Sequence, residues 1–137
     1  MPVLTPRLVR AYRESRYRAG LAEIRIGRRS AAADETLAAL GARQGGLISA
    51  FNPFSRRTAP GRNARHHDRL RRAARRFPSR NALACPGTDW EEPMLLVACD
   101  PRVLARLGRR FRQHAIVVLR RGAPARLLCL TPLTPEP

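Results

Sequence analysis

The apolar positions change period from one segment to the next, and those changes outline a fold. Residues 21–26 alternate apolar and polar, the pattern of a half-buried strand. Ser30 then offers an N-cap. Leu37 and Leu40 share one side of a helix over 31–40, which Gly41 stops. Residues 46–51 form a continuous apolar run, as in an interior strand, and Asn52-Pro53 ends it. Over 62–77, Leu70, Ala73, Ala74 and Phe77 recur at i, i+3, i+4 and i+7 while arginine covers the rest of the wheel. That is a helix with one apolar stripe, closed by Pro78. Segments 81–85 and 94–99 read as strands, with a loop at 86–92 between them that carries the only tryptophan, Trp90. Asp100-Pro101 is a helix start, and Val103, Leu104, Leu107 and Phe111 give that helix its stripe over 101–111. Segments 115–119 and 125–130 pair as strands joined near Arg121-Gly122. A first helix over 7–19, resting on Leu8 and Tyr12, and a disordered proline-rich tail over 131–137 complete the pattern.

This order predicts an α+β (layered α/β) fold in one domain over 1–130. The sheet is expected to be mixed, of five or six strands, with three to four helices mainly on one face. A 137-residue chain buries roughly 68–70% of its unfolded surface, enough for a core without staples. The longest apolar runs, such as 94–99, are far too short to cross a membrane. No apolar stretch follows Arg7, Arg10 and Arg13, so the expectation is a cytoplasmic protein with no membrane partner.

Charge changes the picture most. All 27 basic residues are arginine, against 10 acids, for a net charge of +17. The absence of lysine removes P-loop chemistry, Schiff-base catalysis and pyridoxal phosphate chemistry. The excess of arginine calls for a polyanionic partner such as nucleic acid. Residues 56–80 hold ten arginines against one acid, Asp68. Arg65, Arg69, Arg72 and Arg76 fall at i, i+4, i+7 and i+11, a stripe able to track phosphates. Aromatic residues do not interleave with it, which argues against base stacking. A solvated face in an arginine-rich chain is the equally simple alternative.

Three short polar signatures stand out: Ser49-Ala50-Phe51-Asn52-Pro53, Trp90-Glu91-Glu92-Pro93 and Phe111-Arg112-Gln113-His114-Ala115. With Ala11-Tyr12, Tyr17 and Asn63, their order and spacing resemble a bacterial family catalogued as domain of unknown function 3293. The resemblance spans about residues 11–130 and implies a small bacterial protein with no assigned activity. That family usually carries Thr where Ser49 stands and Gly-Gln-Asn where Arg112-Gln113-His114 stands. Arg112 thus replaces a glycine where a tight turn or a close ligand approach would ask for one.

Asn52, Asn63, Trp90, Glu92 and Gln113 are the candidate ligand-binding residues. If the strand before Asn52 runs opposite to those that follow Glu92 and Gln113, all three residues meet at one rim of the sheet. Amides there can read donors and acceptors, Trp90 supplies a wall, and a desolvated Glu92 could serve as general base. The structural alternative has Asn52 ending a turn, Asn63 capping a helix and Glu92 answering an arginine. Asp89, Glu91 and Glu92 form a small acidic group with no second cluster to complete a cation site, so no metal and no cofactor are expected. His66 and His67 diverge by about 100° on a helix and read as a solvated face, with a His67–His114 pair left open. Cys85, Cys99 and Cys129 are odd in number and widely spaced, which fits buried free thiols.

Three functions follow. The first is non-catalytic polyanion binding through the arginine helix. The second is small-molecule binding or catalysis at Asn52, Glu92 and Gln113. The third is an interaction module for an acidic protein. Charge favours the first, and the polar signatures favour the second.

Overall fold

A computed structural model of the chain describes residues 2–87 and 90–134. Side-chain caps start three of its helices. Thr5 accepts from the Leu8 amide ahead of α1 (Pro6–Glu14), and Ser30 accepts from Ala33 ahead of α2 (Ala31–Ala39). Asp100 accepts from Arg102 ahead of α4 (Pro101–Arg110). Proline occupies the first turn of α1, of α4 and of α3 (Pro60–Ala74), where its missing N–H costs no hydrogen bond. The strands are β1 (Arg16–Ala19), β2 (Ala22–Ile24), β3 (Gln44–Ile48), β4 (Ser79–Cys85), β5 (Glu92–Val97), β6 (Ala115–Arg120) and β7 (Arg126–Cys129). They form one sheet in the order β2-β1-β4-β5-β3-β6-β7, with every neighbour antiparallel.

The sheet is buried on both faces. Leu47, Leu96, Val117 and Leu119 point to one side and pack with Ala33 and Leu37 of α2. Ile48, Leu95, Val97 and Ile116 point to the other, against Leu70 of α3 and Leu104 of α4. Helix α1 lies on the α2 side, where Leu8 and Tyr12 share a cavity with Tyr17 and Met94. The interior strand β3 contains Gly45-Gly46, and a methyl group on Gly46 would run into the Val117 carbonyl and the Leu104 side chain. The close seating of α4 on β3 therefore depends on that glycine.

Several expectations change. The sheet has seven strands rather than five or six and is antiparallel rather than mixed. Helices cover both faces instead of mainly one, because the continuous apolar runs in β3, β5 and β6 have buried residues on both sides. The first helix ends at Glu14. Residues 16–19 are strand β1, with Tyr17 and Ala19 buried and Arg16 and Arg18 exposed. The start of the expected tail is tied down: Leu4 donates to the Pro132 carbonyl (2.8 Å) and accepts from the Thr134 amide (3.0 Å). Residues 135–137 of that tail lie outside the described residues. Among the described residues no helix is long and apolar enough to cross a membrane.

Helix α4 ends in a six-to-one turn. The Gln113 amide donates to Gly108 (2.9 Å) and the Arg112 amide to Arg109 (3.1 Å). This geometry places Arg112 in the left-handed region, with φ 56°. The left-handed region costs an L-residue roughly 1–2 kcal/mol, which glycine avoids. Arg112→Gly should therefore stabilise the protein by up to about 1 kcal/mol, once the greater freedom of glycine in the unfolded chain is set against the relief. Urea denaturation of the two proteins measures it.

Candidate ligand site at the rim of the sheet

Strand β3 runs apolar through Ile48 and leaves the sheet through Phe51 and Asn52. The loop that follows is strained. Asn52, Phe54 and Ser55 all have positive φ, at 44°, 53° and 61°. None of the three is glycine, and each such residue costs on the order of 1–3 kcal/mol unless its surroundings hold it. Here they do. Asn63, buried in the first turn of α3, accepts from the Asn52 amide (2.8 Å) and donates back to the Asn52 side-chain oxygen (2.9 Å). That oxygen also accepts from the Thr58 amide at 3.0 Å. The Phe54 amide donates to the Arg112 carbonyl (2.7 Å), and Gln113 Nε2 donates to the Phe51 carbonyl (3.1 Å). His114 Nε2 lies 3.1 Å from the Phe54 carbonyl, which can only accept, so that nitrogen carries the proton. His114 Nδ1 then accepts from the Thr131 hydroxyl, 2.7 Å away.

Because β3 is antiparallel to both β5 and β6, its C-terminal end lies beside the starts of those two strands. Asn52, Glu92 and Gln113 therefore meet at one rim. They line a cavity of about 210 Å³ between the sheet and α1. Trp90 forms part of its wall and remains 51% exposed. Both tyrosines of the chain, Tyr12 and Tyr17, and Phe51 line it as well. Four of the seven aromatic residues thus surround one small space.

Glu92 sets the electrostatics. Burial pushes its carboxyl up to about 7, and the nearby Ser49 hydroxyl offsets only part of that. Among the described residues no arginine contributes, although the chain carries 27 basic residues. The adjacent Glu91 turns away and pairs with Arg18, and this is the only ion pair among the described residues. Burial also pushes the Tyr12 hydroxyl up to about 12, with further contributions from Glu92 and Cys129 against a lowering by the Ser55 hydroxyl. Tyr17 is raised for the same first reason, and its hydroxyl donates to the Tyr12 carbonyl at 2.9 Å.

The candidates fare differently. Asn52, Trp90, Glu92 and Gln113 line the cavity, whereas Asn63 stands behind it and fixes Asn52. Asn52 is half spent on the loop, since its oxygen is taken. Gln113 uses its nitrogen on backbone carbonyls, while among the described residues its oxygen holds no hydrogen bond. Tyr12, Tyr17, Ser49 and Ser55 join the site without having been singled out. The first three carried a signal: Tyr12 and Tyr17 belong to the family resemblance, and Ser49 opens the first polar signature. Arg65, Arg69 and Arg72 are exposed on α3 and Arg76 is exposed in the turn just after it, because the helix ends at Ala74 rather than at Phe77; none of the four has a carboxylate partner among the described residues.

The histidines depart from expectation. His67 is buried against Phe51, edge to face at 6.0 Å, instead of lying on a solvated face. The apolar side of α3 is wider than its leucine and alanines suggested. His114 does not pair with it, since both its ring nitrogens are engaged elsewhere. Cys85 and Cys99 are buried and Cys129 is half-buried, all three as free thiols. No group of three or more metal-ligating side chains occurs among the described residues, and Asp89 of the acidic trio lies outside them.

Residues 48–116 match the family described as Protein of unknown function (DUF3293), and the chain belongs to that family. The matched span contains Asn52, Asn63, Trp90, Glu92 and Gln113 but not α1 or β1 with their tyrosines. No curated protein and no solved structure matches the chain.

Two expected outcomes follow from this geometry. Glu92 binds its proton more tightly folded than unfolded, from an ordinary value of 4.5 up to about 7. Its protonated form therefore favours the fold at low pH, and that contribution is lost as pH rises through about 7. The shift amounts to at most about 3 kcal/mol. Glu92→Gln should be more stable than wild type at pH 8, and denaturant midpoints from pH 5 to 8 should flatten. Asn63→Ala should cost about 2–3 kcal/mol, because it leaves the Asn52 amide and oxygen short of partners in a strained loop. Thermal unfolding measures that loss.

Proposed function

We propose that the rim cavity binds a small nitrogen-bearing molecule that offers N–H donors, and that Glu92 exchanges a proton with it. The observation that carries this reading is Glu92 itself. It is a desolvated carboxyl poised near neutrality, left free of arginine in an arginine-dense chain. A group with its pKa near the working pH is suited to give and take a proton. The aromatic walls suit a flat or cationic ligand, which stacks on or lies over their faces. Gln113 supplies an acceptor oxygen and Ser49 and Ser55 supply hydroxyls. At about 210 Å³ the cavity corresponds to about seven waters, so the ligand has roughly ten non-hydrogen atoms or fewer.

A second reading, nucleic-acid binding through α3, draws support from the four exposed arginines and from the net charge of +17. It receives less weight because Arg69 and Arg72 border a concave cleft rather than an open track, and Arg76 lies over the Phe77 ring at 4.9 Å. No particular feature favours an acidic protein partner over either.

A ligand-observed NMR screen of small amines, amides and nitrogen heterocycles at pH 7 tests the first reading. Binders are expected, and Glu92→Gln should weaken them by about tenfold or more while leaving the fold intact, the loss that goes with one buried charge-assisted contact. A screen without binders, or binders indifferent to both Glu92→Gln and Gln113→Ala, would refute it.

A further inference from the structure

On the opposite face of the sheet from Glu92, α3 and the end of α4 enclose an open cleft of about 730 Å³. Arg69, Arg72 and Arg75 reach it from α3, and Arg110 and Arg112 from the end of α4. No carboxylate among the described residues lines it. Pro53, Ala73 and Phe111 give it an apolar floor. His66 sits among these cations. Burial and then Arg69, Arg62, Arg65 and Arg112 push its imidazole down, which puts guanidiniums of both elements near one ring. Its Nδ1 is buried without a hydrogen-bond partner among the described residues.

We infer that this cleft is a binding site for a compact, multiply charged oxyanion, a phosphate or pyrophosphate group carried by a small molecule. Five guanidiniums facing one space repel one another, and no acid among the described residues relieves them. An oxyanion does, and each guanidinium can hold it through two parallel N–H donors. The C-terminal end of α4 favours cations, and Arg110 and Arg112 stand there. The concave shape separates this ligand from a nucleic-acid duplex. A duplex needs charges set along an exposed track, and these arginines converge from two elements instead. The volume falls within the ordinary range for small-molecule sites. The cleft is distinct from the Glu92 cavity but shares a wall with it. Pro53 and Arg112 face the cleft, while their chain neighbours Asn52 and Gln113 face the cavity.

Calorimetric titration with inorganic pyrophosphate at low salt tests the site. Saturable one-to-one binding is expected. The pair Arg69→Gln/Arg110→Gln should weaken it at least tenfold. The pair Arg65→Gln/Arg76→Gln removes the same charge outside the cleft and should change it less than twofold. Arg112→Gly provides the control for folding, because it relieves a left-handed arginine: it should raise the melting temperature and still weaken pyrophosphate severalfold. Absence of binding to wild type would overturn the inference. So would equal losses in the two arginine pairs, which would make the charge a diffuse face. A short DNA duplex that binds more tightly than pyrophosphate and responds equally to both pairs would also overturn it, in favour of the polymer.

Discussion

The reciprocal hydrogen bonds between Asn52 and Asn63 are the constraint on which the rest of the site depends. They join the end of β3 to the first turn of α3 across a loop with three non-glycine residues in the left-handed region. Strain of that size would normally be released by a local change of backbone. It persists because the buried Asn63 amide would otherwise lose its partners, and an unmet buried polar group costs about 1–3 kcal/mol. Helix α3 also lacks a side-chain N-cap, its N-cap position being Ala59. Asn63 therefore fixes the entry to the helix as well as the exit from the strand. With both fixed, Phe51 and Asn52 stand at the cavity and Pro53 turns to the other face.

The sheet makes a rim possible in the first place. An antiparallel arrangement of β5, β3 and β6 brings one strand end and two strand starts together. Both faces of those strands are covered by helices, so their backbones cannot shift without disturbing two cores. Gly46 lets α4 settle close to β3, and the end of α4 supplies the Arg112 carbonyl that receives the Phe54 amide. The rim is thus held from the strand, from α3 and from the turn after α4. Such support lets a carboxyl like Glu92 remain desolvated instead of swinging out to solvent.

Much of this was legible in the chain. The 3.6-residue stripes located α3 and α4 to within a few residues, because amphipathic helices leave a periodic signal, whereas the short α2 was legible from its Ser30 cap and its Gly41 stop. The Asn52, Glu92 and Gln113 positions were legible as polar residues at the ends of apolar runs. Strand β1 was not. Four residues with two arginines leave no run to detect, and the alternation of Arg16, Tyr17, Arg18 and Ala19 merges with the helix before it. Helices on both faces were half legible, since continuous apolar strands demand two covers, but nothing in one-dimensional spacing says which helix takes which side. The role of Asn63 was also hidden. A buried amide that bonds back to a residue eleven positions earlier looks, in sequence, like any helix-start asparagine.

The distribution of charge carries the last step. A chain with 27 arginines and 10 acids could neutralise every carboxylate it has. Instead, Glu92 sits in an aromatic cavity with no arginine acting on it among the described residues, while five arginines share a cleft that none of the described acids lines. Either site could have been silenced by a single side chain of opposite sign. Random placement of so many cations would bring one near Glu92, since guanidiniums reach far on flexible stems. The two sites lie on opposite faces, separated by the sheet and by the loop that Asn63 holds. That separation keeps Arg112 and its cleft neighbours from the carboxyl, and Arg18, the chain neighbour of Tyr17 in the cavity wall, is paired with Glu91. Around this loop the arginines thus leave one acid without a cation among the described residues and gather five guanidiniums at one cleft. The proposed proton exchange at Glu92 and the inferred oxyanion site both rest on this segregation of charge.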